Sequence, residues 1–284
     1  MEKADEVEEV LRLYDDDKLL QAARLLHKVD AKLQNGTLHA ESTAALQRHD
    51  AQLATIRRDT DEITRLVAEM KSEDGWDAAY AGPVTSVSYR VNEGDNGLMT
   101  YKIESTLVAN VINLACVINE VQLYPNLFWF VRSLDVLEQP GRCQKTMYLR
   151  VRFFWPVADR DFYCYGYAVD GLDEDDCMLI YSRDLADVPD RLGPYRDRLD
   201  AKSKETVRGS MTAAFLYKPL TASTTKMTFI AKVDPTLPYV PVPLMNWFGK
   251  VFGRGIPKVE ATLHLCSDLR RKPNTHVFPL GVGF

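Results

Sequence analysis

From residue 84 to residue 234 the chain alternates apolar and polar side chains with a period of two, segment after segment, and this pattern limits its folding choices more than any other feature. The runs VTSVSYRVN and LMTYKIESTL flank the turn-forming Glu93-Gly94-Asp95-Asn96-Gly97 and read as a β-hairpin. NVINLACVINEVQLY then takes helical spacing, after which KTMYLRVRFFW, RDFYCYGYAVDG, CMLIYSRD, MTAAFLYKPL and KMTFIAKVD return to strand character. The predicted order is a hairpin, a helix and an antiparallel meander. A sheet of this kind needs its apolar face covered, and each end of the chain offers a candidate.

In front of the strands, Leu19, Ala22, Leu26, Val29 and Leu33 recur at steps of three and four and lay an apolar stripe on a helix that Asn35-Gly36 terminates. A second seam, Leu46, His49, Leu53, Ile56, Thr60, Ile63, Val67 and Met70, keeps the same rhythm for over three heptads. Residues 1–72 are predicted to form a helical hairpin or short bundle, and residues 73–284 the main domain. Two uses fit this unit: a coiled coil that dimerises or binds a partner, and an extension folded back on the main domain. Behind the strands, PVPLMNWFGKVFGRGIPKVEATLHLC sets Leu244, Met245, Trp247, Phe248, Val251 and Phe252 on a helix too apolar to face water. A long C-terminal helix laid across an antiparallel sheet closes off an interior volume.

Composition removes several classes of function. At 284 residues the chain accommodates one large domain and a small accessory unit. Lys plus Arg number 35 against 40 for Asp plus Glu, and no basic cluster offers the attraction that nucleic acid requires. The start, MEKADEVEEV, lacks the positive and then apolar character of a secretory leader. Five scattered cysteines, with no C-x-x-C, argue against a disulfide framework or a zinc site and for a reducing cytosol. Asn, Glu, Arg or Pro interrupt the longest apolar runs well short of the roughly 20 residues a spanning helix needs, so membrane contact is expected to be peripheral.

No nucleophile elbow, P-loop, dinucleotide fingerprint or H-E-x-x-H motif is present, and no histidine falls in the strand block, so no catalytic residue, metal site or cofactor is expected. Asp159, Arg160 and Asp161 read as a turn with an internal ion pair, and the run Asp173-Glu174-Asp175-Asp176 as solvated charge at a hairpin tip.

Three landmarks resemble one family: VINEVQLYPNLFW at residues 117–129, WPVADRDF at 155–162 and VDPTLPYVPVPLMNW at 233–247. In this order and spacing they are similar to the START lipid-transfer domains, most nearly the phosphatidylcholine-transfer type, over residues 75–266. The resemblance implies an α+β helix-grip fold, a curved antiparallel sheet of about nine strands around the long C-terminal helix, with one lipid held between them. It places tunnel-facing strand positions on Leu149, Val151, Phe153, Phe162, Cys164, Thr212 and Ala214, to which the helix adds Leu244, Trp247, Phe248 and Val251. Alternation agrees for the first of these strands, where Met147, Leu149, Val151 and Phe153 oppose Arg150 and Arg152. Phe162, Cys164, Gly166 and Ala168 form a face of mostly small residues opposite Tyr163, Tyr165 and Tyr167. On the pattern alone a packed core is the better reading of such faces, and the resemblance reverses that preference.

The resemblance also fails in an informative place. The arginine and aspartate that hold the phosphocholine head in those relatives fall on Asn126 and Phe130, and a lipid-touching glutamine falls on Ala214. The expected ligand is therefore a less polar lipid: a fatty acid, a diacyl lipid, a ceramide or a sterol. The expected activity is transfer between membranes with residues 243–265 as a lid, whose Gly249, Gly253, Gly255 and Pro257 are hinges or ordinary kinks. The alternatives are a lipid-sensing adaptor whose N-terminal helices recruit a partner and, third, an enzyme on the same architecture.

Overall fold

The computed structural model describes residues 6–91, 98–153, 157–201, 205–234 and 236. Four helices come first: α1 (Glu6–Asp15), α2 (Leu19–Gln34), α3 (Ala40–Arg48) and α4 (Asp50–Lys71). Helix α2 buries Leu19, Ala22, Leu26 and Val29, while Leu33, the last member of its predicted stripe, is exposed. Its chain reverses through Gly36 at φ +66°, a conformation open to glycine. The second seam breaks at His49, which ends α3 and begins α4, so it is two helices instead of one. Thr60 stays within α4 by donating its hydroxyl to the Ile56 carbonyl oxygen at 2.7 Å.

The strands are β1 (Asp77–Ala81), β2 (Thr85–Val91), β3 (Met99–Leu107), β4 (Val131–Glu138), β5 (Gln144–Val151), β6 (Asp159–Gly171), β7 (Cys177–Asp184), β8 (Thr206–Arg208), β9 (Ser210–Thr221) and β10 (Thr224–Asp234). They form one ten-stranded sheet in the order β1-β2-β3-β10-β9-β7-β6-β5-β4, with β8 pairing parallel to β6 and every other pair antiparallel. The predicted meander is the run from β5 to β10, and β10 returns to β3, which joins it to the first hairpin. Between β3 and β4 lies α5 (Val111–Asn119), started by Asn110, whose side-chain oxygen accepts the Ile112 amide at 2.8 Å. The helix expected over residues 243–265 lies outside the described residues.

The two sheet faces are covered differently. On one, Tyr163, Tyr165 and Tyr167 of β6, Leu179 and Tyr181 of β7, Leu216 of β9 and Ile230 of β10 share an apolar core with α1 to α4, including Leu26, Leu53 and Ile56. The N-terminal helices thus pack on the sheet, the folded-back arrangement of the two considered. Within this layer Arg183 of β7 is buried against Asp59 and Glu62 of α4; its Nη2 lies 3.2 Å from Asp59 Oδ1, and the Tyr181 hydroxyl donates to Glu62. On the opposite face α5 buries Leu114, Val117 and Ile118 against Ile103, Tyr217 and Phe229.

Candidate functional site

Beside α5, the second face of the sheet is hollow. A cavity of about 230 Å³ lies there, more than fifteen times the roughly 10–15 Å³ that one water needs. Its origin is a single transverse row of residues. Lys145 pairs with Gly166, Gly166 with Ser182, Ser182 with Ala213, Ala213 with Ala231 and Ala231 with Tyr101, and all six line the cavity. Four consecutive small residues in the middle of that row leave a trough that its flanking rows do not fill. One flank carries Ile180, Phe215 and Phe229; the other carries Met147, Cys164 and Met211. Ile118, Val121, Tyr124, Phe128 and Phe130 line it from the segment that follows β3. There Tyr124 is fixed by donating its hydroxyl to the Ile118 carbonyl oxygen at 2.9 Å and by an edge-on contact with Phe128.

The lining is apolar, and its polar groups are few. Burial pushes the Cys164 thiol up to about 12, so it stays a neutral, oily group at ordinary pH. Lys145 is the single charged side chain among the described lining residues. It is 9% exposed, and its Nζ donates to the Asn119 carbonyl oxygen at 2.5 Å and to Asn119 Oδ1 at 2.8 Å. Burial lowers its pKa, against weaker opposing pulls from Cys143 and Glu120. Among the described residues no group of three or more metal-ligating side chains converges, and no helix is long and apolar enough to cross a membrane.

The predicted site residues divide into four groups. Leu149, Val151, Phe162 and Cys164 line the cavity, as does Phe130. Phe153 does not: it is buried beside Arg160, whose guanidinium carbon lies 5.2 Å from its ring centre. Asn126 is exposed on a short helix, Tyr124–Leu127, and also lies off the lining. Thr212 and Ala214 require a correction. Met211, Ala213 and Phe215 carry the cavity face of β9, while Ala214 pairs with Tyr181 and Ile230 and packs with the helical layer. A one-residue slip in a strand sends every side chain to the other face. Leu244, Trp247, Phe248 and Val251 lie outside the described residues. Lys145, Ser182 and Ala231 were missed; the first begins a predicted strand, where a charge ordinarily marks the solvated end.

Several solved structures share this fold. Human STARD10 superposes with a TM-score of 0.60 at 16% identity, covering 74% of this chain and 81% of its own. Human StAR-related lipid transfer protein 5 gives 0.57 at 15%, covering 78% and 100%. A STAR-related lipid transfer protein from Xanthomonas axonopodis gives 0.53 at 20%, covering 67% and 99%. No family model and no curated protein matches the chain. At these identities the likeness is one of fold.

Proposed function

We propose that this chain is a START-type lipid carrier, which takes one lipid molecule into the cavity beside α5 and moves it between membrane surfaces without chemical change. The observation that carries the reading is the trough of Gly166, Ser182, Ala213 and Ala231, an oily hollow built into an otherwise close-packed sheet face. Protein interiors pack densely, and a void of this size forfeits contacts that a guest restores. Two of the three fold relatives are named lipid transfer proteins, which supports the same reading. A chain of about 16 methylenes costs over 10 kcal/mol to expose to water at about 0.8 kcal/mol each, so a carrier that shields it removes most of the barrier to transfer.

Native mass spectrometry of the protein from cells, followed by organic extraction, tests the reading. One lipid per chain is expected, and it is expected to be lost when Ala213→Leu and Ala231→Leu fill the trough while the far-ultraviolet spectrum is kept. A wild type without lipid, or a filled variant that retains it, ends the proposal. The lid role is assigned to residues 243–265: Phe248→Asp with Phe252→Asp is expected to abolish vesicle-to-vesicle transfer, and an unchanged rate would exclude it. The adaptor alternative is disfavoured in one form, because α1 to α4 already spend their apolar stripes on the sheet.

A further inference from the structure

Granted that the cavity holds a lipid, the reading on which this inference rests, the lining also points to the lipid's head. Lys145 stands at one end of the trough opposite Gly166, whose place above the sheet is taken by the Met147 methyl, an apolar group that offers the ammonium no acceptor. An ammonium has three N–H donors. Two are used by Asn119; the third has no acceptor among the described residues, and Lys145 forms no ion pair with any of them. Only weak pulls from Cys143 and Glu120 offset the burial of its charge; an ammonium so poorly compensated is unfavourable in apolar surroundings, and a ligand that brings a counter-charge removes the penalty.

We propose that the cavity takes a single-chain lipid with a carboxylate head, a long-chain fatty acid, whose carboxylate pairs with Lys145 and whose tail runs along the trough toward Tyr101. The charge balance selects the head. One ammonium is neutralised by one carboxylate. A phosphate monoester, with a charge of about −1.5 to −2 at neutral pH, would leave excess negative charge among apolar side chains, and an alcohol would leave the ammonium uncompensated. The dimensions suit the tail: five strand spacings of about 4.8 Å separate Lys145 from Tyr101, on the order of 24 Å along the sheet, a length that an extended acyl chain spans.

The test uses the full chain, stripped of lipid, titrated below micellar concentration with palmitate, hexadecanol and hexadecyl phosphate. Palmitate is expected to bind the wild type about 10- to 100-fold more tightly than hexadecanol, the range for a hydrogen bond to a charged group. Lys145→Met is expected to erase that preference by weakening palmitate alone, and Lys145→Arg to restore most of it. Equal binding of palmitate and hexadecanol by the wild type overturns the assignment, even if the methionine variant does not fold. So does a preference that survives Lys145→Met. Tighter binding of hexadecyl phosphate than of palmitate overturns the carboxylate in favour of a phosphate head. Binding of none of the three overturns the single-chain assignment, and whether the lipid-carrier reading falls with it is read separately from the lipid recovered by extraction of the native protein.

Discussion

Asp161 is 1% exposed, and its carboxylate is fully engaged. Arg208 Nε donates to Oδ1 at 2.8 Å, Arg208 Nη2 to Oδ2 at 3.2 Å and the Tyr148 hydroxyl to Oδ2 at 3.0 Å. Burial alone would raise its pKa, but the hydrogen bonds and charge of Arg208 reverse the sign and hold it below the ordinary 3.8. A depressed carboxylate stabilises the fold above its unfolded pKa, and the contribution disappears as pH falls through the folded value. Asp161→Asn is therefore expected to lower stability by about 2 kcal/mol at pH 7, with a deficit that shrinks as pH drops below 3.8. Urea denaturation across that range checks it, and a deficit of constant size would dismiss the linkage. The sequence shows the charged triplet Asp159-Arg160-Asp161 but not its partners. Asp161 meets Arg208 of the neighbouring β8, and Asp159 meets Arg132 of β4, two strands away, at 2.9 Å; both partners lie far along the chain and not inside the turn.

At the level of elements, period-two alternation finds a strand reliably and orients it only when one face is distinctly polar. The predicted strand MTAAFLYKPL runs from Met211 to Leu220 within β9 and has apolar residues on both faces, because one covers the cavity and the other meets the helical layer. The strand was therefore legible and its facing was not, so alternation could not correct the family resemblance, which had carried the tunnel positions onto Thr212 and Ala214, one residue off the cavity face. β6 was legible in both respects, since its tyrosines and its small residues segregate cleanly. β1, β4 and the three-residue β8 escaped notice because each is short or weakly apolar. The register of β8 and β9 depends on Gly209 between them: a Cβ there would lie 2.7 Å from the Asp234 carbonyl oxygen and 2.5 Å from Phe162 Cε1. Gly209→Ala is expected to cost about 1–3 kcal/mol through overpacking. A melting temperature within a degree of wild type would show that the strands absorb the methyl group.

Across the whole molecule, the helical layer and the sheet are not separable by a cut in the sequence. Removing residues 1–71 would uncover Tyr163, Tyr165, Tyr167, Leu179, Tyr181, Leu216 and Ile230 and strip Asp59 and Glu62 from the buried Arg183. Loss of a buried charge's partner costs about 3–5 kcal/mol by itself. The truncated chain is expected to aggregate or to bind hydrophobic dye with a weakened near-ultraviolet spectrum. A soluble truncated monomer with no added dye binding and a melting point near that of the full chain would disprove this. Deletion consequently cannot separate carrier from adaptor, and point changes within the cavity serve better.

The row Gly166, Ser182, Ala213 and Ala231 has one further consequence. The ladder hydrogen bonds that hold these four residues in register come from the backbone and are indifferent to the size of what hangs from it. Exchanging one small residue for another at Ser182, Ala213 or Ala231, or for a valine, alters the depth of the mould and leaves the scaffold that carries it in place, whereas at Gly166 an added Cβ, 2.9 Å from the Met147 methyl, would first have to displace that side chain. Guest size in this architecture can therefore drift by single substitutions, a methylene at a time, without the protein having to renegotiate its fold.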